Sequence, residues 1–128
     1  MKILLDTHVW IWYLLKDKRL RRAHRSLMED PSNELLLSSI TIWEAHLLIE
    51  RGRLAVSQTP KEWISLALQN LPVREAEITF AIAMRSRNIG MEHGDPADRF
   101  LAATAIELKI PLLTCDPLIF ACNEVRFL

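Results

Sequence analysis

Apolar residues along the chain fall into two kinds of run. Ile3-Leu4-Leu5, Leu35-Leu36-Leu37 and Leu112-Leu113-Thr114-Cys115 are short, continuous and bounded by polar residues, the pattern of buried strands. The longer stretches between them carry helical spacing. Val9, Trp10, Trp12, Tyr13, Leu14 and Leu15 predict a helix apolar almost all round, continuing to Leu27 and Met28 before a turn at 30–33. Ile40, Ile42, Trp43, Ala45, Leu47, Leu48 and Ile49 predict a second, with Ser39 as N-cap and Gly52 as its stop. Thr59 or Pro60 opens a third, burying Trp63, Ile64, Leu66, Ala67, Leu68 and Leu71. Leu71-Pro72-Val73 is expected as a short edge strand, and 75–87 as a helix with Ile78, Ala81, Ile82 and Met84 inward. A long helix runs from Pro96 through Leu108 until Lys109-Ile110-Pro111 breaks it. Asp116-Pro117 then opens a short helix of Leu118, Ile119, Phe120 and Ala121, and 125–128 is expected as a last edge strand.

Strands alternating with helices imply an α/β fold, with a central, mostly parallel sheet flanked by helices on both faces. The first strand feeds a buried helix directly, as a central parallel strand does. With 128 residues and no linker, repeat or low-complexity segment, residues 1–128 are expected to form one domain.

In such a sheet, the strand ends that precede helices share one rim, where ligands bind. Acids gather there. Asp6 and Asp116 follow the first and last buried strands, Glu44 stands inside the helix after the second, and Asp95 and Asp98 start the long helix. Each has a local explanation: Asp-x-x-Asp before an apolar run is close to a capping box, and Asp6 or Asp116 could cap the next helix. Four separate segments delivering carboxylates to one rim point beyond capping. Close like charges repel by about 1–4 kcal/mol per pair, which a hard divalent ion relieves. Oxygen ligands without Cys or His suit Mg²⁺ or Mn²⁺, and the chemistry that follows is phosphoester hydrolysis.

Net charge adds a constraint. Sixteen basic residues balance sixteen acidic ones, which argues against gripping a nucleic acid by bulk charge. Local cations remain. Lys16, Lys18, Arg19, Arg21, Arg22 and Arg25 crowd ten residues, either as a solvated helix face or as a phosphate-contacting patch. Arg85, Arg87 and Arg99 are further candidates. Cys115 and Cys122 have no zinc-like spacing and read as buried thiols of a reducing compartment. No apolar run suggests a signal peptide or a membrane span, so a cytoplasmic location is expected.

Set side by side, Leu4-Leu5-Asp6-Thr7-His8-Val9-Trp10, Ser38-Ser39-Ile40-Thr41-Ile42-Trp43-Glu44-Ala45 with Gly52-Arg53-Leu54, His93-Gly94-Asp95-Pro96-Ala97-Asp98-Arg99, and Leu113-Thr114-Cys115-Asp116 give a chain that resembles the PIN-domain ribonucleases. Within them it is similar to the VapC-type toxins of toxin–antitoxin pairs. The resemblance spans essentially the whole length. It implies a PIN-like fold, endoribonuclease activity with Mg²⁺ or Mn²⁺, a cognate antitoxin and a homodimer. Its catalytic acids fall on Asp6, Glu44, Asp98 and Asp116, with Asp6, Asp98 and Asp116 as metal ligands and Thr7, Ser39 and Arg99 in support. Asp95 is then a further ligand, an outer acid or a cap. Two positions depart from the family's pattern: Ala97 stands where relatives usually have Phe, and Leu48 where a Lys often follows the Trp-Glu segment.

Other classes fit less well. A receiver-like phosphoacceptor domain needs an acidic pair at the first strand, but Leu5 precedes Asp6; a phosphatase of the Asp-x-Asp type finds His8 at its second position. The remaining alternative is a non-catalytic PIN-like module that binds RNA or protein.

Overall fold

The computed structural model describes residues 1–92, 94–120 and 122–128, with the backbone alone for Leu118 and Phe120. His93 and Ala121, expected in the loop before the long helix and in the last short helix, lie outside the described residues. The elements run β1 (Lys2–Leu5), α1 (Thr7–Leu15), α2 (Arg22–Glu29), β2 (Glu34–Ser38), α3 (Ser39–Glu50), α4 (Pro60–Asn70), β3 (Arg74–Ala76), α5 (Phe80–Ser86), α6 (Pro96–Leu108), β4 (Leu112–Leu113) and α7 (Pro117–Phe120). The sheet has the order β3-β2-β1-β4, and every pairing in it is parallel.

Alternation along the strands divides the core between the two faces of the sheet. Ile3, Leu5, Leu35 and Leu37 pack against Val9, Trp10, Ala45, Trp63 and Ala67 from α1, α3 and α4. Leu4, Leu36 and Leu112 pack on the other side against Leu101, Ala102 and Ala105 of α6. α5 packs on α6 rather than on the sheet. β1 is the expected central strand, with Leu4 beside both Leu36 and Leu112, and Leu5 beside Leu113. That register brings the end of β1 level with the end of β4.

Several expected boundaries move. The first helix does not continue to Met28: Lys16 takes a left-handed conformation at φ 54°, its N–H bonds back to Trp12 and Tyr13, and the chain turns before α2. Ser38, not Ser39, caps α3 by accepting the Ile40 N–H. The edge strand lies at Arg74–Ala76 instead of 71–73, so the helix expected over 75–87 starts only at Phe80, capped by Thr79. Ala81 and Met84, expected inward, are exposed. The last buried strand is shorter than expected, since Thr114 and Cys115 lie beyond β4. The 125–128 segment contributes a single bridge among the described residues, Leu112 to Phe127, with the Leu112 N–H donating to the Arg126 carbonyl and the Leu128 N–H to the Leu112 carbonyl.

Candidate active site

β1 ends at Leu5, and Asp6 holds the N-cap position of α1, yet its side chain makes no capping hydrogen bond. The capping explanation for Asp6 therefore fails. Its backbone N–H donates to the Leu113 carbonyl at 3.0 Å, and the Thr114 hydroxyl donates to its Oδ2 at 2.7 Å. Thr114 in turn accepts the Asp116 N–H at 3.0 Å, so one hydroxyl joins the acids that follow β1 and β4. Burial pushes the Asp6 carboxyl up to about 6, the Glu44 charge adds to the rise, and the Thr114 bond and His8 oppose it.

Thr7 is buried beside Asp6, its hydroxyl 3.1 Å from that of Thr41 on α3. This contact ties α1 to the helix that carries Glu44. Glu44 is half-buried, one residue from exposed Trp43.

At the start of α6, Asp95 is the N-cap, its Oδ1 accepting the N–H groups of Ala97 at 3.0 Å and Asp98 at 3.3 Å. Of the roles left open for Asp95, the structure displays the cap. Pro96 fills the first helical position, and Asp98 in the first turn is partly buried. Its carboxyl is pushed up to about 8, first by burial and then by the negative charges of Asp95, Asp6, Asp116 and Glu44. Asp98 is thus where the charges of all the predicted acids meet.

These residues fit a hard cation. They offer oxygen alone, and the two carboxyls that burial and neighbouring negative charge push upward would be favoured as carboxylates beside a positive ion. As they stand, no three His, Cys, Asp or Glu side chains among the described residues form a group that could hold a metal. Mg²⁺ keeps several of its waters and needs only one or two carboxylates directly, so the remaining acids can act through water.

Beside the acids lies a cleft of about 310 Å³ between α3 and the start of α6, lined by Trp43, Glu44, Leu48, Arg51, Arg53 and Asp95 among others. Ala97 and Leu48, the two departures from the family pattern, both line it. Arg51, which the sequence reading did not single out, stands three residues after Leu48 and supplies a cation to the same wall. The position of a Lys missing from its usual place, taken with helical spacing, was the signal that could have found it.

The other expected cations are differently placed. Arg99 is buried, with Nε donating to the Ser86 carbonyl and Nη1 to that of Met91, both at 2.8 Å. It clamps the end of α5 and the following loop, and the expectation that it steers a nucleic acid is corrected. Arg85 pairs with Glu107 at 2.8 Å and approaches Glu124 at 3.8 Å. In the basic run, Arg19 pairs with Asp17 and lies over Trp12, and Arg25 lies over Tyr13. Ser39 lines an apolar groove of about 450 Å³ with Leu37, Ile42, Leu68 and Val73. Both cysteines are free; Cys122 is buried, but Cys115 is only partly so, 3.5 Å from Nδ1 of buried His24. Among the described residues no helix is long and apolar enough to cross a membrane.

Comparison with known proteins agrees with this architecture. The chain is 32% identical over 115 residues to Ribonuclease VapC22 of Mycobacterium tuberculosis (strain ATCC 25618 / H37Rv), covering 89% of this chain and 86% of that protein. Its fold is similar to that in the crystal structure of VapBC2 from Rickettsia felis bound to a promoter DNA fragment, with a TM-score of 0.74 at 13% identity over 100% of this chain and 98% of that one. It is also similar to FitAcB from Neisseria gonorrhoeae, with a TM-score of 0.68 at 26% identity over 98% of this chain and 95% of that one. The family model described as the PIN domain matches residues 3–121, and with the parallel sheet and its acidic rim this establishes that the chain belongs to the PIN-domain family.

Proposed function

We propose that this chain, as one domain over residues 1–128, is an Mg²⁺- or Mn²⁺-dependent endoribonuclease and the toxin of a toxin–antitoxin pair, acting in the cytoplasm. The observation that carries the reading is the gathering of acids from separate segments: Thr114 joins Asp6 to Asp116, Glu44 and Asp95 line one cleft, and the charges of all four bear on Asp98. A module that only bound a partner would have little use for carboxylates held against their own repulsion. The likeness to a protein named as a ribonuclease supports the same activity, and the likeness to VapBC and FitAcB structures supports an antitoxin partner.

Asp6, Asp98 and Asp116 would hold the ion, directly or through waters it keeps, and Glu44 would hold and orient the attacking water. When bound, the ion supplies a water of lowered pKa and offsets charge on the phosphodiester oxygens. Thr114 keeps Asp6 and Asp116 in register, and the Thr7–Thr41 contact sets α1 against α3. Burial of Asp6 and partial burial of Asp98 limit water at the acids, which strengthens every charge interaction there. The apolar groove lined by Ile42, Leu68 and Val73 offers the antitoxin a surface, and exposed Phe80 and Met84 offer one to a second copy of the chain.

Titration calorimetry with Mn²⁺ tests the assignment of the acids. Asp6→Asn and Asp98→Asn should each weaken Mn²⁺ binding at least tenfold, on the order of the effect of altering a metal site's support. Unchanged affinity in both would remove the metal assignment.

A further inference from the structure

We propose that the cleft bounded by Trp43, Arg51 and Arg53 seats the stretch of RNA strand next to the scissile bond, with the two guanidiniums on a phosphate and the indole stacked on a base. The proposal rests on the nuclease reading above and names a substrate subsite within it.

Helical spacing sets one wall. Trp43 and Arg51 are eight residues apart, so they share the face of α3 that also presents Leu47, and Glu44 lies beside that face. Gly52 then turns the chain in a left-handed conformation at φ 69°, and the Arg53 N–H bonds back to the Leu48 carbonyl at 2.9 Å. That turn, natural to glycine, returns Arg53 to the wall Arg51 already lines. Glu44 and Asp95 line the same cleft, so the guanidiniums adjoin the acids.

Charge explains what they could be for. An RNA strand must approach five carboxylates on a chain of zero net charge, so cations beside them must offset the repulsion. Arg19, Arg25, Arg74 and Arg85 each lie within ion-pair reach of a carboxylate, and Arg99 is spent on backbone carbonyls. Arg51 and Arg53 are exposed, and neither forms an ion pair with another described residue. Trp10 and Trp63 meet edge to face in the core, whereas Trp43 is 53% exposed and contributes little to packing. An exposed aromatic next to two free cations is the combination that holds single-stranded nucleic acid: a charge for the backbone and a π-face for a base. A cleft of about 310 Å³ is large enough for one such group.

The test measures binding of a fluorescein-labelled single-stranded octaribonucleotide by anisotropy, with Mn²⁺, in an Asp116→Asn background that leaves the RNA uncut. Arg51→Met and Arg53→Met should each weaken binding about tenfold and flatten its log–log salt dependence by about 0.7. Arg51→Lys should recover most of the loss. Trp43→Ala should weaken binding at least about fivefold with the salt slope unchanged. Mn²⁺ affinity of the otherwise unaltered chain should be the same in every variant. An Arg51→Met/Arg53→Met double variant that binds RNA with the parent's affinity and slope overturns the proposal, as does one that loses RNA only because it has lost Mn²⁺. Variants that keep RNA but lose an acidic peptide partner overturn it too, assigning the cleft to protein. If RNA binding depends on the arginines yet the unaltered chain cuts nothing with Mn²⁺, the subsite stands and the nuclease reading falls. If the chain cuts RNA and the double variant binds it normally, the reverse holds.

Discussion

The hydroxyl of Thr114 donates to the buried carboxylate of Asp6 across 2.7 Å, linking the residue after β1 to the segment after β4. Because the same oxygen accepts the Asp116 N–H, a change at Thr114 reaches two of the acids at once. Thr114→Val should cost about 1–3 kcal/mol in chemical denaturation, the range for leaving a buried polar group without its partner. It should also raise the Asp6 carboxyl further, since that bond is the largest influence opposing burial. Mn²⁺ binding would then need a higher pH, whereas Thr114→Ser should behave like the parent. An unchanged pH profile in Thr114→Val would show that Thr114 only packs.

The Asp98 carboxyl makes metal-free stability depend on pH with a defined sign. Its folded-state value of about 8 lies above the ordinary 3.8, so the folded chain binds a proton that the unfolded chain has released. Stability from Asp98 is complete below pH 4 and falls as pH rises towards 8. The difference in Tm between the unaltered chain and Asp98→Asn isolates this residue from buried His24, whose lowered value acts with the opposite sign as pH falls. That difference should move against the unaltered chain as pH rises without metal, and the trend should vanish with saturating Mn²⁺. A flat difference without metal contradicts the electrostatic account of the rim.

Arg99 separates a structural cation from a steering one. Its bonds to the Ser86 and Met91 carbonyls are charge-assisted and buried, so Arg99→Met should destabilise the fold by about 3 kcal/mol or more. RNA affinity of the folded fraction, measured well below the melting transition, should stay within about twofold, far less than the tenfold effect of losing a phosphate contact. A stable Arg99→Met variant with weakened RNA binding would restore the steering role.

The proposed homodimer is tested on α5, where Phe80 is 92% and Met84 65% exposed. Contiguous apolar side chains of this size on a small chain mark an interaction surface. Sedimentation should show a dimer at roughly tens of micromolar, a weak-affinity range, and Phe80→Glu should return it to monomer. A monomeric parent chain at that concentration would leave α5 without this partner.

How much of this was legible in the sequence depended on how local each cause is. The start of α4 could be read because Thr59 and Pro60 carry its signal themselves, and Asp6 because an apolar run meets an acid directly. β3 could not. Arg74-Glu75-Ala76 has no strand pattern and is a strand because Leu36, Leu37 and Ser38 offer it a parallel edge. The same displacement touches α5: with 75–79 spent on strand and loop, Ile82 is buried as expected, whereas Ala81 and Met84 face solvent. The acids were legible as a set because parallel topology sends strand ends to one rim. The role of Arg99 was not, because carbonyls of Ser86 and Met91 carry no side-chain signature. Arg51 belongs to the cleft through its place at the end of α3, on the face that carries Trp43 and Leu47, and Arg53 through the turn at Gly52.

Cleavage chemistry tests the central claim most directly. If the acids serve a metal-activated water, the purified chain should cut single-stranded or loop RNA with Mg²⁺ or Mn²⁺, leave 5′-phosphate ends, and stop when EDTA is added. Asp98→Asn should abolish cutting while the fold persists, because Asp95 and not Asp98 caps α6. Cleavage that survives EDTA, or that leaves 2′,3′-cyclic phosphate ends, would mean that the ribose hydroxyl is the nucleophile and that the acidic rim is not a metal centre.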